Sequence, residues 1–291
     1  MTTEVRAAMP PEDRKRHPAA SLVIHVLLVG ASILMLYPLI WMLSASFRPD
    51  SEIFGSASLL PSEFTLDGYI RGWFGLGVPF GQFFWNSFVI SVLSVVGNLA
   101  ACSLAAFAFA RLEFDGKKFW FALMLGTLML PYHVVLIPQY VMFLNLGWLD
   151  TFLPLVVPKF LAADAFFIFL MVQFFRGIPK ELDEAAMMDG CSPWRIYWKI
   201  LLPLSTPVLA TAAIFTFLWT WDDFFGPLIY LSDIQNYTVQ VALRSFVDSS
   251  GQSNWNGLFA MSVLSMLPVF IFFILFQRLL IEGIATTGMK R

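Results

Sequence analysis

E-A-A-M-M-D-G-C-S-P-W-R-I-Y-W-K-I-L-L-P-L-S-T-P, residues 184–207, is a polar, charged insert between two long apolar segments. Pro179 can open a helix over Lys180–Met188. Glu181, Asp183 and Glu184 crowd the start of that helix, where acids complement its dipole, and Asp189 closes it. Gly190 supplies the left-handed residue that ends a helix. Ser192 before Pro193 pairs an N-cap with a first-position proline, so a second short helix starts there. That helix mixes the apolar Trp194, Ile196, Tyr197 and Ile200 with the basic i, i+4 pair Arg195 and Lys199, and Pro203 and Pro207 redirect the chain beyond it. The stretch reads as a rigid helix–turn–helix elbow. Ala185 and Ala186 leave room for another surface to close around it. On one face of a membrane protein, such an elbow reads as a docking surface for a partner.

The rest of the chain fits a bilayer. Of 291 residues, 58% are hydrophobic and 13% charged, and the mean hydropathy is +0.72. Soluble domains carry about 25% charged residues. The net charge of −2 says little about partners. Six apolar segments lie near Ser21–Phe47, Phe83–Phe109, Phe119–Ile137, Leu153–Phe175, Pro207–Tyr230 and Gly257–Ile281. Each is close to the ~20 residues that cross ~30 Å of hydrocarbon as a helix. Helices satisfy their own backbone hydrogen bonds, so the expected fold class is an all-α integral membrane protein with six crossings. The first run is longer than the ~7–15 residues of a signal-peptide core and reads as a retained helix behind a tail of residues 1–20.

Lysine and arginine set the expected orientation. With the N-terminus inside, 14 of the 18 fall in cytoplasmic regions: the tail with Arg6, Arg14, Lys15 and Arg16, the loop with Arg111, Lys117 and Lys118, the insert, and the end with Arg278, Lys290 and Arg291. Arg48, Arg71 and Arg244 fall outside, and Lys159 lies within or at the rim of the fourth segment. This positive-inside bias places both termini and the elbow in the cytoplasm. In the second segment Gly97, Ala101 and Ala105 recur at spacing four, which lets a neighbouring helix approach closely. Prolines, including Pro38, Pro131, Pro138, Pro158, Pro227 and Pro268, lie in or at the ends of apolar segments, where each kinks or breaks a helix.

The pattern E-A-A-x-x-x-G-x9-I-x-L-P is carried by Glu184, Ala185, Ala186, Gly190, Ile200, Leu202 and Pro203. It resembles the coupling loop of the membrane permeases of bacterial ATP-binding-cassette (ABC) importers, and Asp189 suits the carbohydrate branch. P-L-I-W-M-L-S-A-S-F (38–47), N-S-F (86–88), A-A-F-A-F-A-R-L-E-F-D-G-K (105–117), W-D-D-F-F-G-P-L (221–228) and G-I-A-T-T-G-M-K (283–290) resemble maltose-type permeases, and the last is closest to those for melibiose, raffinose and multiple sugars. One departure is Asp222, where the family usually has Asn.

The resemblance implies a type I ABC importer permease domain over residues 21–291, with core helices at about 83–281 and a coupling loop at 176–206. It implies a heterodimer with a second permease, a dimer of ATP-hydrolysing subunits and an extracytoplasmic sugar-binding protein. The setting would be the bacterial inner membrane, with lipid around the chain and a sugar or oligosaccharide as cargo, and no nucleic acid. Glu184, Ala185, Ala186, Asp189 and Gly190 are the expected ATPase-coupling residues, with Glu184 facing a basic group on the ATPase. ATP and Mg would be bound by the partner ATPase subunits, and this chain would bind no cofactor.

No catalytic or metal site is expected in this chain. It lacks the phosphate loop G-x-x-x-x-G-K-[ST], since Arg111 stands where the first glycine before Gly116–Lys117 should be. His17, His25 and His133 are far apart, and Cys102 and Cys191 suit no disulfide framework. Ionisable residues at membrane depth point to function. Asp222 and Asp223 lie about 15 residues past Pro207, roughly 23 Å along a helix, and Asp164 lies early in the fourth segment. The three carboxylates, with Trp219, are candidates for a substrate pathway; the alternative is capping and pairing within the bundle. Lys159 and Asp164 stand about 140° apart on a helix and are not expected to pair. Arg278 reads as a snorkelling anchor. Three other functions stay in view: import of another substrate class such as glycerol phosphate derivatives, ion-coupled secondary transport, and a scaffold or receptor that merely recruits a partner.

Overall fold

The computed structural model describes residues 18–55, 58–247 and 254–288. Arg6, Arg14, Lys15, Arg16, Lys290 and Arg291, which bear on the orientation, lie outside the described residues, as does most of the expected tail and the Arg278 side chain. Every regular element among the described residues is helical.

The principal helices are α1 (Pro18–Ala45), α2 (Asp67–Phe74), α3 (Phe80–Arg111), α4 (Lys117–Thr127), α5 (Tyr132–Asn145), α6 (Ala165–Gly177), α7 (Glu181–Met188), α8 (Pro193–Ile196), α9 (Thr206–Trp221), α10 (Phe225–Tyr230) and α11 (Trp255–Gly288). Four stretches are long and apolar enough to cross a membrane: Leu22–Ala45, Phe80–Arg111, Leu153–Gly177 and Trp255–Gln277. A fifth is added if Pro193–Leu204 and Thr206–Trp221, bent by 77°, count as one span.

The third apolar segment is not one helix. It divides into α4 and α5, because Pro131 lacks the amide hydrogen that would continue the ladder and sits extended at φ −61°, ψ 131°. The fourth segment is also composite. A short helix at Leu153–Val156 tightens into a 3-10 turn at Val157–Leu161, Ala162 takes a left-handed conformation at φ 53°, and α6 begins only after Asp164.

α3 is the central support. It packs against α6, α9 and the 3-10 turn. Gly97 permits the last of these contacts: a Cβ there would stand 2.4 Å from the Phe160 ring. The small-residue row thus receives an aromatic ring of a tight turn at that point. Where α3 meets α9, the Asn98 side chain donates to Thr216 Oγ1 at 2.7 Å, both buried. Around the Arg111 end of α3, Phe107, Met171, Phe175, Tyr197, Leu201 and Ala212 form one buried apolar cluster. Around its other end, Phe80, Phe83, Phe217, Trp221, Val239 and Met261 form a second.

α1 touches the body chiefly through α11, including an edge contact of Trp41 on Phe259. Its apolar side chains face outward, with Leu34 73% and Met35 76% exposed. Such a surface calls for lipid around it. Past α1, Arg48 is fully buried and donates to Ser44 Oγ, while Asn256 donates through its side chain to the Arg48 carbonyl and through its backbone to Asp50. This polar knot ties the end of α1 to the start of α11.

Candidate functional site

The elbow is built by local rules. α7 ends in a paired cap: the Cys191 amide donates to the Ala186 carbonyl at 2.9 Å and the Gly190 amide to Met187 at 3.0 Å, with Gly190 at φ +78°. Ser192 caps α8 by accepting from the Arg195 amide. α8 runs into a wider π turn at Tyr197–Leu201, and the chain bends by 77° at Ser205, between Pro203 and Pro207. Proline supplies no amide hydrogen, so Pro207 cannot extend the preceding ladder.

Glu184, Ala185, Asp189 and Gly190 are exposed on the elbow, whereas Ala186 is buried. The small size of Ala186 therefore serves the interior of the elbow, and of the two alanines only Ala185 offers its side to a neighbour.

Asp183 also turns inward. Its carboxylate stands 2.8 Å from Arg111 Nε, with only 10% and 4% of the two side chains exposed. Arg111 Nη2 donates to the Ile178 carbonyl at 2.8 Å. Higher on α3, Ser103 shares a 2.7 Å hydrogen bond with the Tyr197 hydroxyl, and Phe107 packs on the Tyr197 ring. The elbow is thus fastened to α3 at both of its arms. Spacing within the insert gives no sign of this clamp, since Arg111 and Asp183 are 72 positions apart.

Farther along α3, two adjoining cavities open between α3, α5, α6, α9 and the 3-10 turn. One, of about 90 Å³, is lined by Ile90, Thr216, Trp219 and Thr220. The other, of about 400 Å³, is lined by Gln139, Phe143, Asp164 and Tyr230. Leu155, Lys159 and Asp223 line both.

Three of the four residues expected along a substrate pathway, Asp164, Trp219 and Asp223, therefore come together. Asp222 does not: it is exposed and is met by Gln240 Nε2 at 3.5 Å, away from both cavities. The expectation about Lys159 is corrected. Its ammonium is 2.8 Å from Asp164 Oδ2, because the left-handed Ala162 breaks the helix and the 140° separation no longer applies. Asp223 Oδ1 accepts from the amides of Phe225 and Gly226 at 3.1 and 3.2 Å, just ahead of α10. Trp219 is 53% exposed, its ring held by Phe166, Phe167 and Phe215.

Sequence reasoning misses Tyr230, which is 3% exposed and whose hydroxyl has no hydrogen-bond partner among the described residues. Its neighbour in space is a loop hub. Asp150, at φ +59°, donates its amide to the Tyr230 carbonyl at 2.8 Å. Asp150 Oδ1 accepts from the Ser232 and Asp233 amides, both at 2.9 Å. The Asp233 and Ser232 amides, helped by the Asn236 side chain, hold the Asp150 carboxyl below its ordinary range. Among the described residues no group of three or more His, Cys, Asp and Glu could hold a metal.

Comparison with known proteins gives consistent results. Residues 97–286 match the family described as "Binding-protein-dependent transport system inner membrane component". The arabinooligosaccharides transport system permease protein AraQ of Halalkalibacterium halodurans is 34% identical, over 95% of this chain and 99% of that protein. The sn-glycerol-3-phosphate transport system permease protein UgpE of Brucella abortus is 32% identical, over 94% and 99%. In three dimensions the chain resembles one from a bacterial ABC transporter involved in the import of the acidic polysaccharide alginate, with a TM-score of 0.78, 26% identity, and 89% and 95% of the two chains covered.

Proposed function

We infer the function of this chain from one premise: it belongs to the family of binding-protein-dependent transport system inner membrane components. It is a permease subunit of an ABC importer for a sugar or oligosaccharide, as the named relatives for arabinooligosaccharides and alginate support. The observation that carries this reading is the elbow clamped to α3 through Arg111 and Asp183. A stiff projection bonded to the helix that borders a polar cavity can convert the motion of a partner into altered access to that cavity.

In the full reading the chain pairs with a second permease. A dimer of ATPase subunits, carrying ATP and Mg, grips the elbow through Glu184, Ala185, Asp189 and Gly190, and an external sugar-binding protein delivers the cargo. The broken pair α4 and α5 supplies the remaining crossing of a six-span bundle with cytoplasmic termini and a cytoplasmic coupling helix. A second reading, import of a glycerol phosphate derivative, is favoured by the Brucella relative.

Co-expression with the neighbouring transporter subunits tests the main reading. A stable complex should form with an ATPase and a second permease, and vesicles should take up labelled oligosaccharide only with ATP. Uptake driven by an ion gradient without ATP would refute it.

A further inference from the structure

We infer that the adjoining cavities around Lys159, Asp164, Asp223 and Tyr230 are a ligand subsite that accepts an uncharged, polyhydroxylated ring and disfavours anions. The inference rests on the importer reading and narrows its cargo class. The relatives leave that class open, since they include permeases named for neutral oligosaccharides and for glycerol 3-phosphate, and a structure linked to an acidic polysaccharide.

Charge balance makes the choice. Among the described residues, Lys159 is the one cationic side chain lining either cavity, and its ammonium already meets Asp164 at 2.8 Å. Asp223 then adds either a negative charge or none, so the balance never becomes positive. Anion sites use surplus donors, arginine above all. An anion about 6 Å from an unneutralised carboxylate, at an effective dielectric of about 20, is disfavoured about 100-fold.

The hydrogen-bonding inventory suits hydroxyl groups instead. The carboxylates accept from them, and Gln139 donates and accepts. Tyr230 lines the larger cavity, and its buried hydroxyl has no protein partner among the described residues. A buried hydroxyl is costly to leave unmated, so it points to a polar ligand group. Trp219 offers an aromatic face in the smaller cavity. The combined space falls in the range of small-ligand sites.

The test is protection of an engineered cysteine in the complete transporter, held in lipid nanodiscs without the binding protein. Gln139→Cys in a Cys191→Ser background is labelled with a soluble maleimide in the presence of raffinose, maltotriose, trigalacturonate or glycerol 3-phosphate. A neutral trisaccharide at ten times its dissociation constant should slow labelling about tenfold, and the two anions should not. Adding Tyr230→Phe should weaken that protection about fivefold to tenfold. Protection by an anion equal to that by the neutral sugars overturns the inference, as does no protection by any compound, or full protection in the Tyr230→Phe variant. ATP-dependent uptake is measured in vesicles made from the transporter with Gln139 and Cys191 intact. Sugar uptake without protection sinks the subsite alone, and loss of all ATP-dependent uptake sinks the importer reading.

Discussion

The Arg111 guanidinium meets the Asp183 carboxylate at 2.8 Å in a nearly dry setting, joining the last turn of α3 to the first turn of α7. The Nε–H is not aligned for a hydrogen bond, and Arg111 Nη1 and Asp183 Oδ1 also lack hydrogen-bond partners among the described residues. The contact is held by charge more than by directed bonding, so removing one partner leaves a buried ion. We predict that Arg111→Ala or Asp183→Ala lowers stability by about 3–5 kcal/mol. The apolar double variant Arg111→Met/Asp183→Leu should regain most of the loss. Thermal unfolding of the detergent-solubilised protein decides this, and a double variant no better than either single one would refute it.

Gly190 is expected to resist substitution for reasons of backbone conformation alone. A side-chain carbon at this position would meet no atom within 4 Å, yet φ is +78°. Gly190→Ala should cost about 1 kcal/mol, and Gly190→Asn less. Gly190→Pro should lose the elbow, since proline cannot reach this φ and would delete the hydrogen bond that the Gly190 amide donates to the Met187 carbonyl. Limited proteolysis of the 177–205 region reports the order: Gly, Asn, Ala, Pro.

Glu184 is exposed on the elbow while its neighbour Asp183 is not. Reversing its charge should therefore spare the fold and affect the partner. In Glu184→Lys, sugar uptake should fall at least about tenfold, a loss of ~1.4 kcal/mol in coupling, with unfolding temperature unchanged. Wild-type uptake and wild-type substrate-stimulated ATP hydrolysis in this variant would contradict the coupling role.

Asp150 gives the described loops a pH dependence. Its carboxyl is held low by the Asp233 and Ser232 amides. A carboxyl lowered on folding stabilises the fold at pH values above its unfolded pKa of about 3.9, and that contribution is lost as pH falls through the lower folded value. Asp150→Asn keeps an acceptor and tolerates positive φ, but loses the charge, so acid sensitivity of the loop pairing should flatten below about pH 4. Asp150→Ala should cost about 1–2 kcal/mol at neutral pH. Amide exchange at Ser232 and Asp233 across the pH range measures both effects.

Gly97 and Phe160 should behave as a coupled pair. A Cβ at Gly97 would stand 2.4 Å from the ring, so Gly97→Ala should cost about 1–3 kcal/mol by overpacking. Phe160→Ala removes the obstacle, and the cost of Gly97→Ala in that background should shrink by at least ~0.5 kcal/mol. Strict additivity of the two changes would refute the contact.

Much of the elbow is legible in the sequence because its signals are local: Ser192, Pro193, Gly190 and Pro207 act within one or two turns of themselves. The long apolar runs are legible for the same reason. Their internal breaks are less so. Pro131 carries a visible warning for the third segment, but the turn that pairs Lys159 with Asp164 depends on a left-handed alanine, which no composition rule marks. Asp183 reads as a helix-dipole acid when its own helix is considered alone, because its partner lies on another helix. Tyr230 stands among many aromatics of the apolar runs, and only packing shows it buried beside the larger cavity.

α3 has no internal proline, unlike α1, α5 and α11. Arg111 fastens it to the elbow, and Ile90, 21 positions earlier and roughly 31 Å away along the axis, borders the smaller cavity. The helix is unbroken and proline-free between them, so a tilt at one end is carried toward the other. Thermodynamic reciprocity then applies: cargo that prefers one tilt must alter the affinity of whatever grips the elbow by the same factor as that grip alters the affinity for cargo.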